Sequence, residues 1–175
     1  MKKIILLFIP VLIIFSGCKK DKDDEYYVSF TVNGTPKKFT GYPIGSLQES
    51  GVVKELYIIG AASALADDDY LGIYMNNYPA FGNFTPGEYT DGSTTFTVLA
   101  TYENGGFSYE AGQSVAEEAV THNVTIANHF KVTITHMDDK VMRGTFSGDF
   151  YEDGNVQTGT KISIANGQFA VRVEN

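Results

Sequence analysis

Phe96-Thr97-Val98-Leu99-Ala100-Thr101-Tyr102 puts Phe96, Val98, Ala100 and Tyr102 on one side of an extended chain and Thr97 and Thr101 on the other. Alternation with a period of two marks a strand with one buried and one wet face. The pattern also occurs at Tyr26, Val28, Phe30 and Val32, which alternate with Tyr27, Ser29, Thr31 and Asn33. It returns at Phe130, Val132 and Ile134 against Lys131, Thr133 and Thr135. Two-faced strands suit antiparallel sheets better than parallel ones buried on both sides. Runs at 36–39, 56–61, 71–75, 142–150, 162–164 and 169–173 bring the total to about nine strands.

Turn chemistry separates these runs. Asn33-Gly34 supplies the two φ > 0 positions of a type I′ hairpin turn. Asn104-Gly105-Gly106, Asp138-Asp139, Asp153-Gly154 and Asn166-Gly167 punctuate the rest. Gly144 and Gly148 share the apolar parity of Met142, Phe146 and Phe150, where a missing Cβ lets a facing aromatic approach or the strand bend. The expectation is an all-β domain: an antiparallel β-sandwich or a flattened meander barrel, with the sandwich preferred. Gln113 to Val120 holds the helix formers Ala116, Glu117, Glu118 and Ala119 but no full apolar stripe, and is expected to be a loop turn.

The chain has 175 residues, enough for one ordinary domain, and its 43% hydrophobic content can build a core. A formal charge of -8 excludes nucleic acid as a partner, because phosphate neutralisation needs clustered Lys and Arg. At the start, Lys2 and Lys3 precede an apolar run and then Ser16-Gly17-Cys18, the layout of an export signal. Crossing a bilayer takes about 20 apolar residues, and the uncharged stretch from Ile4 to Gly17 is shorter. Residues 1–17 read as a signal peptide cleaved between Gly17 and Cys18. Residues 18–25 read as a charged tether and 26–175 as a single β domain. Removing Lys2 and Lys3 leaves 11 basic against 21 acidic residues, a net charge of -10. Such a surface is repelled by anionic membranes.

Phe15-Ser16-Gly17-Cys18 resembles the lipobox of bacterial lipoproteins, in which the Cys thiol is acylated before the peptidase cuts ahead of it. Lys19-Lys20-Asp21-Lys22-Asp23-Asp24-Glu25 resembles the export tether of surface lipoproteins of the Bacteroidetes. Phe30-Thr31-Val32-Asn33-Gly34, Arg143-Gly144-Thr145-Phe146 and Asn166-Gly167-Gln168-Phe169 are similar to strands at the two ends of small members of that group. The resemblance implies a lipid anchor on Cys18 and a place in the outer membrane facing the cell exterior. It brings no catalytic residue with it. Several acyl chains, at about 0.8 kcal/mol per buried methylene, would hold the protein durably.

Catalytic and metal motifs are not found, so no cofactor and no enzymatic activity are expected. His122, His129 and His136 recur every seven residues, an odd spacing that sends side chains of one strand to opposite faces. Asp67-Asp68-Asp69 lacks the spacing of a calcium loop. Gly112-Gln113-Ser114-Val115-Ala116 lacks the last Gly of a nucleophile elbow. The most suggestive stretch is 70–89, rich in Tyr, Phe and Asn. Leu71, Ile73 and Met75 take the core parity there, which leaves Tyr70 and Tyr74 on the other face beside Asn76, Asn77 and Tyr78. Aromatic rings beside amides suit a sugar or peptide ligand. The expected function is a lipid-anchored, non-enzymatic binding or accessory module for a glycan or protein ligand, with a small glycan hydrolase and a pilus or adhesion subunit as alternatives.

Overall fold

The computed structural model describes residues 25–63 and 69–174. Gly17, Cys18, the tether residues 19–24 and Asp67-Asp68 lie outside the described residues. Eleven strands and one helix form: β1 (Tyr27–Val32), β2 (Thr35–Phe39), β3 (Tyr42–Ser50), β4 (Val53–Ala61), β5 (Asp69–Asn76), β6 (Gly87–Thr90), β7 (Thr97–Asn104) and β8 (Phe107–Gly112). Then come α1 (Gln113–Thr121), β9 (Lys131–Met137), β10 (Val141–Glu152) and β11 (Lys161–Glu174). The all-β expectation holds.

Hydrogen bonding joins the strands in the order β2-β1-β11-β3-β4-β5-β7-β8-β10-β9-β6, and a further β10–β11 pairing closes the strands from β11 to β10 into a ring. The two longest strands make the corners by changing neighbours along their length. β11 pairs first with β1, from Ile164 to Ala170, and then with β3 at Arg172 to Glu174. β10 pairs with β9 from Met142 to Ser147 and then with β8 at Tyr151 and Glu152. The ring is thereby flattened into two layers, β2-β1-β11-β10-β9-β6 and β3-β4-β5-β7-β8. They meet through contacts such as Phe30 of β1 edge-on to Tyr102 of β7, with centroids 5.5 Å apart. The core between them takes Leu56, Ile58, Leu71, Ile73, Met75 and Val98 from one layer and Val28, Phe146, Phe169 and Val171 from the other.

The structure adds β3, β6 and β8 to the expected runs and fuses 162–164 with 169–173 into β11. Asn166-Gly167 is therefore a bulge, not a turn: Asn166 adopts φ 54, and the β10–β11 register shifts between Phe146 and Gly148. The β11–β3 contact is parallel, an exception to the antiparallel expectation. Gln113–Thr121 is a helix, not a loop turn. Its Val115 and Ala119 pack with Ile126, Tyr151 and Val156 in a satellite cluster, and this packing replaces the apolar stripe an isolated helix would need. At Gly144 an added Cβ would stand 2.1 Å from the Thr133 carbonyl oxygen and 2.5 Å from the Phe169 ring. The glycine is what lets that aromatic lie against the strand.

Candidate ligand-binding face

β4, β5 and β7 lie side by side with the registers Tyr57↔Tyr74↔Leu99 and Ile59↔Gly72↔Thr101. Leu56, Ile58, Leu71, Ile73, Met75, Val98 and Ala100 point into the core. Alternation then sends Tyr57, Ile59, Tyr70, Gly72, Tyr74, Leu99 and Thr101 to the outer side. Gly72 has no side chain, so its backbone floors a depression of about 310 Å³ whose walls are Tyr57, Ile59, Tyr70, Tyr74, Leu99 and Thr101. Tyr57 and Tyr74 form one wall as a tilted pair with centroids 5.0 Å apart.

The phenols are anchored at their tips. Tyr74 donates to Glu55 Oε1 at 2.9 Å and Tyr57 to Glu55 Oε2 at 3.1 Å. Tyr70 donates to Glu103 Oε1 at 3.1 Å, and Asn76 Nδ2 donates to the Tyr74 hydroxyl at 3.1 Å. Burial pushes all three phenols above their ordinary 10.0, helped by the carboxylate each faces and opposed at Tyr74 by the Asn76 amide. They stay protonated as donors at neutral pH, which fixes the rings. The outward positions of β3, β4, β5, β7 and β8 include Glu55, Glu103 and Glu110 and, among the described residues, no Lys or Arg, while Arg172 of β11 stands beside Ile44 at the β3 edge of this face.

Of the residues singled out in the sequence, Tyr70, Tyr74 and Asn76 meet on this face. Asn77 does not belong to it. Its side chain is 0% exposed, accepts from the Lys54 N–H at 2.8 Å, and donates to the Val52 and Gly82 carbonyls at 3.0 and 2.8 Å. Asn77 is thus a buttress tying the β3–β4 turn to the loop after β5. Tyr78 is 59% exposed but leaves the face, packing edge-on to Phe81 with centroids 5.7 Å apart. Phe84 and Tyr89 are buried, in an aromatic cluster with Phe96. Tyr57, Glu55, Glu103, Leu99 and Thr101 were missed. Tyr57 carried a signal, since its parity is opposite to that of Leu56 and Ile58.

The histidines are dispersed, each beside its own carboxylate. His122 Nε2 lies 3.0 Å from Glu118, and His136 Nε2 lies 3.0 Å from Asp138. His129 precedes β9 rather than sharing it with His136, and its Nδ1 lies 2.9 Å from Asp91 Oδ1. The buried Asp91 also accepts the Phe130 N–H at 2.9 Å, extending the join between β6 and β9. This pair borders a depression of about 530 Å³ under α1. Asp69 is the first residue of β5 and pairs with Lys37 Nζ at 2.9 Å. Among the described residues no three His, Cys, Asp or Glu gather as a metal site, and no helix is long and apolar enough to cross a membrane. Set against family models, curated proteins and solved structures, the chain gives no significant match.

Proposed function

We propose that this chain is a lipid-anchored lipoprotein of the outer membrane, facing the cell exterior, whose β domain is a non-enzymatic binding module. The depression over Gly72 is the observation that carries the binding half of this reading. It sets fixed rings and aliphatic side chains beside acceptor oxygens on a sheet held by a closed ring of strands, and rigid support of this kind lowers the ordering cost of binding. The anchoring half draws on the sequence from Lys2 to Glu25.

Binding is favoured over hydrolysis because no carboxylate lines the depression and the two that bracket it, Glu55 and Glu103, are far apart. Glu55 lies opposite Asn76 and Glu103 opposite Tyr70, about 20 Å apart at the rise of a strand. Glycosidase pairs sit roughly 5 to 9.5 Å apart. A pilus subunit would offer a long open edge strand. The terminal strands of the sheet are β2 and β6, of five and four residues, and β2 carries Pro36, Lys37 and Lys38, features that discourage strand addition.

Two variants test the two halves. Cys18→Ala is expected to abolish incorporation of a palmitate analogue and release the protein from membranes; a labelled mutant would end the lipoprotein reading. Gly72→Val fills the depression with side-chain carbon: a Cβ there stands 3.4 Å from the Tyr70 ring, and the γ carbons beyond it displace that outer-face ring rather than any backbone. It should keep the fold while removing ligand capture. Ligand capture unchanged in Gly72→Val would end the binding-face reading.

A further inference from the structure

Resting on that reading, we infer that the face formed by Tyr57, Tyr70, Gly72 and Tyr74 takes a neutral oligosaccharide. Three features of the face define the ligand. Its floor and walls are apolar: the Gly72 backbone, Ile59, Leu99 and the ring faces of Tyr57, Tyr70 and Tyr74. A ligand laid there must offer an apolar face of its own, as the C–H side of a pyranose does against the electron-rich face of an aromatic ring.

The rim supplies mostly acceptors. The three phenol protons are already committed to Glu55 and Glu103, so the phenol oxygens and both carboxylates present lone pairs, joined by the Thr101 hydroxyl. A matching ligand brings many donors around an apolar centre, the pattern of sugar hydroxyls. The charge on the face selects further. With Glu55, Glu103 and Glu110 outward, no basic side chain outward on β3, β4, β5, β7 or β8 among the described residues, and Arg172 three strands away from Gly72, uronic acids and sulfated sugars are repelled. A cationic peptide meets the opposite difficulty: the carboxylates stand only at the two ends, so charges lying between them over the aliphatic floor would lose water without a partner.

The separation of the carboxylates sets the length. About 20 Å of strand lies between Glu55 and Glu103, more than one sugar ring spans, so a chain of several units engages both ends while stacking on the rings between them.

The test uses the whole chain bearing Cys18→Ala, so that no acyl group is present, titrated calorimetrically against three kinds of probe. These are neutral gluco-, xylo- and manno-oligosaccharides, a polygalacturonate oligomer and a lysine-rich peptide. At least one neutral oligosaccharide is expected to bind. Tyr74→Ala and Tyr57→Ala should each weaken it roughly tenfold, Tyr74→Phe, which keeps the ring, should recover most of the loss, and Gly72→Val should abolish binding without lowering the thermal midpoint. Failure of the whole neutral panel, or binding indifferent to Gly72→Val, overturns the inference. Capture of the lysine peptide or the polygalacturonate that Gly72→Val removes would overturn the saccharide class and leave the binding face standing. If no probe shows binding sensitive to Gly72→Val, both readings fall.

Discussion

Asn76 and Asn77 are chain neighbours with opposite duties. Asn76 continues the outward parity of β5 and reaches the Tyr74 hydroxyl. Asn77, one step further, turns inward and satisfies three backbone groups from two loops. Removing it leaves one part-buried N–H and two part-buried carbonyls without this partner, and a polar group left unpaired away from water costs more than the bond it replaced. Asn77→Ala is expected to lower stability by about 3 kcal/mol in urea unfolding. An unchanged midpoint would show that water satisfies those groups instead. The sequence could not separate the pair, because both are amides at the end of a strand. What distinguishes them is the approach of Val52 and Gly82, which belongs to the tertiary fold. Tyr70 and Tyr74 were legible because strand parity alone turns them away from Leu71, Ile73 and Met75.

At the scale of elements, legibility followed alternation. β7 and β9 display it in full. β3 hides it because Pro43 and Gly45 interrupt the apolar parity, and β6 is too short to show a period. The misreading of β11 has a different origin: Asn-Gly is the chemistry of a turn and also of a bulge, since both need positive φ. Here the flanking residues remain paired with β10 on one side and β1 on the other, so the chain bends instead of reversing. That bend lies opposite the stretch in which β10 passes from β9 to β8 and ahead of the point at which β11 leaves β1 for β3. An added Cβ at Gly167 would stand 2.4 Å from the Phe146 carbonyl oxygen, so Gly167→Ala should destabilise by about 2 kcal/mol or more. Thermal unfolding that leaves Gly167→Ala as stable as the parent would contradict this placement of the bulge.

For the whole molecule, charge is divided between the layers. Lys37, Lys38, Lys131, Arg143 and Lys161 lie on strands of the layer containing β1 and β10, whereas Lys54 is the one basic residue on the described strands β3, β4, β5, β7 and β8, with Arg172 beside Ile44 where the end of β11 joins β3. The tyrosine face is thus the acidic side of an acidic protein. A neutral ligand ignores that field, so its affinity should change less than about twofold between 0.1 and 1 M salt, a range over which the screening length shrinks from about 10 to 3 Å. Marked weakening with salt would point to a cation. The ring that supports this face also imposes an order in time. The Thr31 hydroxyl donates to the Ala165 carbonyl across 134 residues of chain, and β3 finds its parallel partner only in the last residues of β11. Early strands therefore lack their final neighbours until nearly the whole chain has emerged, and loops this long close slowly. Until the last strand arrives β1 and β3 each keep one edge without its final partner, and an unpaired edge of this kind is where a half-made chain would stick to another copy.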